Sequence, residues 1–443
     1  MLQFLTKNPA GPPGRRAVAA SLALLAGASL VSGCAGQGSK SDGSTDSNGV
    51  VNLSFWNFLT GSDKPTIDKM IATFNDTHPK IHVTSNGLPG DVLSQKLLTA
   101  IASGTGPDIM SLNGITVAQY AAKGALQPTD DFYSSTKYMD TSVLVKPAVD
   151  VSKVGGKNYG VPLNLSTEML YWNKDLFAKA GLDHPPTTLD EFTAMADKLT
   201  VDANKDGVPE QYAIVMASHD TLPIWQPQLW NFGGGVVSQD GRTATLDAPG
   251  TLNGIKYWVN AVRNKKVSPL GAGGADADKM FTSGKAAMEL VGPWIAPTAE
   301  EAKINFGVTA PFSGPSGLTP LADTVTFGLS AKADAAKKDA AYQFFAFWLG
   351  RDNQKVYAEG TGFPSTRTDL SAADLGSNKY PAIFGDPKIT SAARVYLAGV
   401  PNGGQVNDTV FVPALEKVLN GADIDATFSA ANKQAQALID QGQ

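Results

Sequence analysis

The chain has 443 residues, 42% of them hydrophobic and 17% charged, enough apolar material to bury a large core and to divide into two lobes. A formal net charge of -5 without long runs of one sign gives no basic footprint for nucleic acid and no polybasic anchor for anionic lipid. The single cysteine, Cys34, rules out an intramolecular disulfide and a multi-thiolate zinc site.

Arg15 and Arg16 precede an apolar run from Ala17 to Val31 that ends in small residues, the layout of a secretory signal. The run is shorter than the roughly 20 residues that a membrane-spanning helix needs. The segment "VSGC", Val31 to Cys34, resembles the lipobox of bacterial lipoproteins, whose cysteine is diacylated after the chain is cut just before it. Two acyl chains give stable anchoring where one binds reversibly. The alternative is a stray or buried cysteine behind an ordinary signal peptide. "GRRAVAA" carries an arginine pair without the rest of a twin-arginine export pattern. Residues 1–33 are therefore expected to be a lipoprotein signal peptide and residues 34–49 a disordered tether, since Gly, Ser, Asp and Asn bury too little apolar surface to offset ordering. The body is placed at the extracytoplasmic face of the cell membrane, held by lipid alone.

"VVNLSFWNF" alternates Val51, Leu53 and Phe55 against polar neighbours, as a strand does. In "KPTIDKMIATFNDTHP", Ile67, Met70, Ile71 and Phe74 follow helical spacing, and Pro79 closes the pattern. "KIHVTS" reads as a strand, "DVLSQKLLTAIASG" as a helix and "PDIMSL" as a third strand, an alternation that argues for parallel pairing with right-handed crossovers. Such sheets bind ligands beyond the carboxyl ends of their strands, which puts Trp56 and Asn57 after the first strand and Asn113 after the third on one rim. Farther on, Thr188 and Glu191 stand at capping-box spacing before the stripe Phe192, Met195 and Leu199. "AAYQFFAFWLG" reads as an apolar helix, and the last helix uses Ile424, Phe428, Ala431, Ala435 and Leu438. Joints rich in Gly and Pro at 160–162, 311–323 and 360–365 suggest a chain that crosses between two lobes more than once.

The four histidines show neither a two-histidine metal spacing nor a serine-triad context, and no nucleophile elbow, phosphate loop or dinucleotide fingerprint occurs. A glycosidase's paired carboxylates are spatial and leave no spacing to read. "DANKDGVPE" matches an EF-hand loop at Asp202, Asn204, Asp206, Gly207 and Glu210, but the twelfth position is Ala213, so a polar turn is the preferred reading. No metal and no cofactor is expected. Trp56, Trp225, Trp230 and Trp294 lie in or beside segments rich in Gly, Pro or Asn, where indoles stack on sugar rings; packing between lobes is the competing role. Trp172, Trp258 and Trp348 fall inside periodic elements and read as packing.

"GTGPDIMSLNG" (Gly104 to Gly114), "YGVPLNLSTEMLYWNKDLFAKAGLDHPPTTLDEF" (Tyr159 to Phe192), "MFTSGKAAMELVGPW" (Met280 to Trp294) and "AEGTGFPSTR" (Ala358 to Arg367) together resemble landmarks of the extracellular solute-binding proteins of bacterial sugar ABC importers, the maltose-binding-like family 1. The resemblance runs from Val51 to the C-terminus. It implies an α/β fold of two periplasmic-binding-protein-like lobes with a hinge. The N-terminal lobe would hold 51–161 plus about 324–360, and the C-terminal lobe 163–322 plus about 365–443. It implies no enzyme, a sugar or short oligosaccharide as ligand, permease subunits as partners and a monomer. By position Trp294 matches the family's stacking tryptophan, Trp56 an aromatic at the first strand's tip, and Trp225 falls near a second stacking position. Asn164 sits just past the first hinge, and Asn113, Asp323, Arg367 and Asp408 follow by location. The rivals are a receptor for a non-sugar solute such as a glycerol phosphodiester and a surface-anchored glycan hydrolase.

Overall fold

Alternation in "VNLSFWN" produces strand β1 (Val51–Asn57), which turns Leu53, Phe55 and Asn57 to one buried face. A computed structural model describes residues 45–61, 63–219, 221–400 and 402–442; the expected signal peptide, Cys34 and the tether up to residue 44 lie outside the described residues. The tether expectation needs a correction at its end. Thr45 bridges to Val51, and the Asp46 carboxylate accepts from the backbone N–H of Asn48 (2.8 Å) and Val50 (3.0 Å), so 45–49 form a turn. A short acidic side chain that satisfies its own backbone needs no apolar burial to hold a turn.

Helix α1 (Lys64–Thr77) buries Ile67, Met70, Ile71 and Phe74 as the spacing predicts, with Pro65 in its first turn, where no helical N–H is lost. Strand β2 (Ile81–Gly87), helix α2 (Gly90–Ser103), strand β3 (Ile109–Asn113) and helix α3 (Gly114–Ala122) follow. β1 pairs parallel with both β2 and β3. Val325–Leu329 then adds antiparallel to β3, and Val161–Pro162 antiparallel to that strand, completing a five-stranded sheet. The helix Ala335–Trp348 lays Phe344, Phe345 and Trp348 on this sheet, with Phe345 stacked on Phe327 at 4.8 Å between centroids.

A second core surrounds an antiparallel sheet of Phe306–Thr309, Met169–Asn173 and Met288–Val291. Trp258 is fully buried there among Phe192, Trp225 and Phe312. Thr188 caps Leu189–Leu199 by accepting from Glu191 N–H, while the Glu191 carboxylate reaches back to Thr187 rather than to the cap itself. The terminal helix Ile424–Gly442 buries Phe428, Ala431, Ala435 and Ile439; Leu438 is only partly covered.

Between the two cores lies a small sheet in the order Arg394–Val395, Leu321–Asp323, Ser166–Thr167. Two crossings run side by side here, because Leu163 and Asn164 donate their backbone N–H to the Val325 carbonyl (2.8 and 3.3 Å). Gly160 precedes the first crossing, and a Cβ there would collide with Thr326. The third crossing comes later than the joint at 360–365 suggests. Thr366 accepts from Val145 N–H, Thr368 donates to the Val143 carbonyl, and Arg367 bridges to Leu144, so this stretch remains with the first core. Tyr380 and Phe384 are the first residues after it to join the packing around Met169, Tyr171 and Phe281.

Candidate binding site at the lobe junction

The sequence "GPW" places Trp294 immediately before the helix Ile295–Glu301. Its indole is half-buried, borders both large cores and the cluster around Tyr171, and faces Phe363 with centroids 6.4 Å apart at 27°. Gly292 makes this possible, since a Cβ at that position would occupy the space of the indole's six-membered ring. Phe363 belongs to the first core, so the two rings join material from both lobes.

The first crossing is held by Asn164, which is 1% exposed. Its Oδ1 accepts from Val325 N–H (3.0 Å), and its Nδ2 donates to the Tyr357 hydroxyl (3.1 Å). The amide thus ties the first crossing to the second through Val325 and to the helix Arg351–Thr361 of the first core through Tyr357. Asn164→Ala is expected to lower unfolding stability by about 1 to 3 kcal/mol for each buried partner left without a bond, read from urea denaturation midpoints. An unchanged midpoint would show that the amide carries no such load. Asp323 ends the neighbouring crossing strand, and burial pushes its carboxyl up to about 6, against one hydrogen bond from Thr324 N–H.

Other expected residues are placed differently. Alternation puts Trp56 on the face of β1 opposite Phe55, where it rests on the cluster of Leu97, Met110, Leu112, Val117 and Tyr120. Asn57 is buried, donating to Ser85 Oγ (2.9 Å) and accepting from Leu59 N–H (3.2 Å), which closes the turn after β1. Trp225 is 3% exposed, donates its indole N–H to the Ala217 carbonyl (2.9 Å) and packs edge-on to Trp258. Trp230 is half-buried against the same core. Arg367 spends its guanidinium on Asp369, through two 2.8 Å bonds, and on the Leu349 carbonyl (2.9 Å). Asn113 is exposed beside the second crossing, paired in register with Val325. Asp408 accepts from Asn407 Nδ2 and acts electrostatically on Tyr396.

Several buried polar groups give no signal in the sequence. Asp63 is 6% exposed ahead of α1, its carboxyl raised by burial although backbone N–H groups of Asp63, Gly61 and Lys64 bind it. Glu168 follows the crossing strand Ser166–Thr167, is fully buried, and has no hydrogen-bond partner on either carboxyl oxygen; desolvation pushes it well above the usual carboxylate range. Gln226, one residue past Trp225, is equally buried with neither amide atom paired. The Tyr396 hydroxyl is likewise unpaired, one residue beyond the Ala322–Val395 pair. Buried polar groups normally find partners, so each of these unpaired groups carries a desolvation cost in the folded protein.

The EF-hand-like loop is a polar turn. Asp202 accepts from Gly207 N–H, Asn204 from Asp206 N–H, Asp206 from Val208 N–H and Glu210 from Ala203 N–H. Among the described residues no cluster of three or more His, Cys, Asp and Glu could hold a metal ion, and no helix is long and apolar enough to cross a membrane.

Residues 60–355 match the model of the bacterial extracellular solute-binding protein family. The chain belongs to that family. This solute-binding protein is similar to an ABC substrate-binding protein from Listeria monocytogenes solved with cycloalternan, at 25% identity and a TM-score of 0.76, covering 88% of this chain and 98% of the other. A protein of Brucella abortus is 24% identical over 391 residues, 85% of this chain and 90% of the relative. The sn-glycerol-3-phosphate-binding periplasmic protein UgpB of Shigella dysenteriae is 26% identical over 271 residues, 58% of this chain and 60% of its own. The two-lobe α/β architecture of these binding proteins is the one described above.

Proposed function

We propose that this solute-binding protein captures a sugar or short oligosaccharide between its lobes and delivers it unaltered to the permease of an ABC importer. The supporting observation is the half-buried indole of Trp294 opposite Phe363 where the two cores meet. Aromatic faces take the C–H side of a sugar ring while polar side chains read its hydroxyls. A ligand touching both lobes favours the closed state by the difference in its contacts, which turns occupancy into a shape for the permease to read. The cargo of the Listeria relative, cycloalternan, fits this reading.

The cargo of the Shigella relative favours a glycerol phosphate instead. Such a ligand calls for a cation at the junction, and Arg367, the one arginine expected there, is committed to Asp369. A thermal-shift screen over neutral mono- and oligosaccharides, with glycerol 3-phosphate alongside, tests the choice. A true ligand at a hundred times its Kd stabilises by about 2.7 kcal/mol. The proposal expects the shift with a neutral sugar and its recovery intact after prolonged incubation; a shift with glycerol 3-phosphate alone would overturn it, and cleaved products would make the protein a hydrolase.

Anchoring through a diacylated Cys34 completes the proposal. Cys34→Ser is expected to move the protein from the membrane pellet to the soluble fraction on cell fractionation. A variant that stays in the pellet as firmly as wild type would contradict the lipid anchor.

A further inference from the structure

One helix binds the chain near each of its crossings between the cores. In Arg351–Thr361 the Tyr357 hydroxyl accepts from Asn164 Nδ2 (3.1 Å), and Asn164 Oδ1 holds Val325 N–H (3.0 Å), which reaches the first crossing directly and the second through one intermediate. Three residues earlier, Gln354 Oε1 accepts from Ser365 Oγ (3.1 Å) and from the Thr366 N–H and hydroxyl (3.0 Å each), in the stretch that leads to the third crossing. Gln354 Nε2 donates to the Trp348 carbonyl (3.1 Å), and the Trp348 indole N–H returns to the first crossing at the Leu163 carbonyl (2.9 Å). Asn164, Trp348, Gln354, Tyr357 and Thr366 are each at most 1% exposed, so these bonds are shielded from water. The far end of the helix carries the ring that faces Trp294. Thr361 donates its hydroxyl to the Tyr357 carbonyl (2.6 Å) and accepts from Phe363 N–H (3.3 Å), across Gly362, whose left-handed φ of 79° makes the turn. Gly362 lies against the second lobe, since a Cβ there would stand 3.4 Å from Tyr380 and 3.6 Å from Pro293, the residue before Trp294. The rings follow the same line: Trp348 to Tyr357 at 5.4 Å, Tyr357 to Phe363 at 5.8 Å and Phe363 to Trp294 at 6.4 Å between centroids.

We propose that Gln354, Tyr357 and Thr361 are positioning residues that set the Phe363 ring against Trp294 according to the arrangement of the crossings. Tyr357 joins the two ends: its hydroxyl holds Asn164, its ring packs between Trp348 and Phe363, and its carbonyl anchors the Thr361 hydroxyl that holds Phe363 N–H. Close-packed, hydrogen-bonded side chains have few alternative arrangements, so a change at the crossings moves the helix end as a unit instead of being absorbed along the way. Phe363 belongs to the first core, while Trp294 follows the strand Met288–Val291 of the second sheet. The separation of the two rings therefore reports how the lobes are set, and the helix links that separation to the hinge. The consequence for ligand affinity rests on the carbohydrate reading of this junction, but the positioning itself needs no ligand to be observed.

The full chain labelled with 5-fluorotryptophan offers seven fluorine signals, and Trp294→Phe assigns the relevant one. Phe363→Leu removes the facing ring and marks where that signal lies without it. Tyr357→Phe keeps the ring and loses only the hydroxyl bonded to Asn164, and Thr361→Val keeps the shape and loses the hydroxyl bonded to Phe363. Each is expected to move the Trp294 signal toward its Phe363→Leu position while circular dichroism reports a folded protein. Thr361→Ser, which keeps the hydroxyl, is expected to leave the signal at its wild-type position. Asn164→Ala removes the same bond as Tyr357→Phe, so the double variant is expected to displace the signal no further than Asn164→Ala alone. Carbohydrate affinity in Tyr357→Phe is expected to fall about fivefold, the worth of one ordinary hydrogen bond. A wild-type Trp294 signal in a folded Tyr357→Phe or Thr361→Val protein would reduce the network to core stability and overturn the proposal, as would a signal that Phe363→Leu does not move. A signal that moves as expected in a protein that binds no carbohydrate would uphold the positioning and refute only the carbohydrate reading.

Discussion

Trp294→Ala is expected to weaken carbohydrate binding by more than tenfold while leaving the protein folded. Tenfold corresponds to about 1.4 kcal/mol, which lies within what one aromatic contact surface supplies. The indole is half-buried at the meeting of the cores and is not one of the fully buried side chains that fill them. Its removal therefore opens the junction more than it hollows a core, in contrast to Trp258 or Trp348, each fully buried. Isothermal titration with the sugar identified by the thermal screen, together with a circular dichroism melt, separates the two effects. Unchanged affinity would remove Trp294 from the site, and a collapsed melt would make it a core residue.

The second large effect concerns Glu168 and pH. Its carboxyl is buried without a partner and titrates well above 4.5 in the folded protein, whereas the unfolded chain releases the proton near 4.5. Above 4.5 the folded state therefore holds more protons than the unfolded state, and stability falls as pH rises toward the folded value. Asp323 acts in the same direction between 3.8 and about 6, and Glu289 above 4.5. Glu168→Gln keeps the shape and removes one titration. Urea midpoints at pH 5 and pH 8 are expected to fall apart less in the variant than in wild type, with the variant the more stable at pH 8. Equal slopes would mean that the Glu168 carboxyl has a compensating partner.

Much of the fold was legible because it is local. The spacing of Ile67, Met70, Ile71 and Phe74 fixes α1 without reference to anything else, and the alternation of Leu53 and Phe55 fixes β1. That same alternation already committed Trp56 to the opposite face. What it could not reveal is that α2 and α3 cover that face and take the indole into their packing. Trp225 was obscured by Pro227, which reads as a break but falls in the first turn of the helix Trp225–Trp230, where proline is tolerated. Trp225 and Leu229 then lie four residues apart on one inward face. Arg367 is captured by a carboxylate only two residues away, a pairing that its position in a family-like motif does not disclose. Glu168 and Gln226 carry no sequence signal at all, because lacking a partner is a property of the space around a side chain. The expected lipobox and signal segment are the reverse case, since the residues that suggest them lie outside the described ones.

The claim at the centre is that the junction of the lobes holds an intact carbohydrate. Native mass spectrometry of the purified protein after incubation with a mixture of neutral oligosaccharides tests it most directly. The expected result is a single added mass equal to one unmodified oligosaccharide, lost in Trp294→Ala. A bound mass that is a fragment of the added sugars, or no carbohydrate adduct at all, would contradict the account.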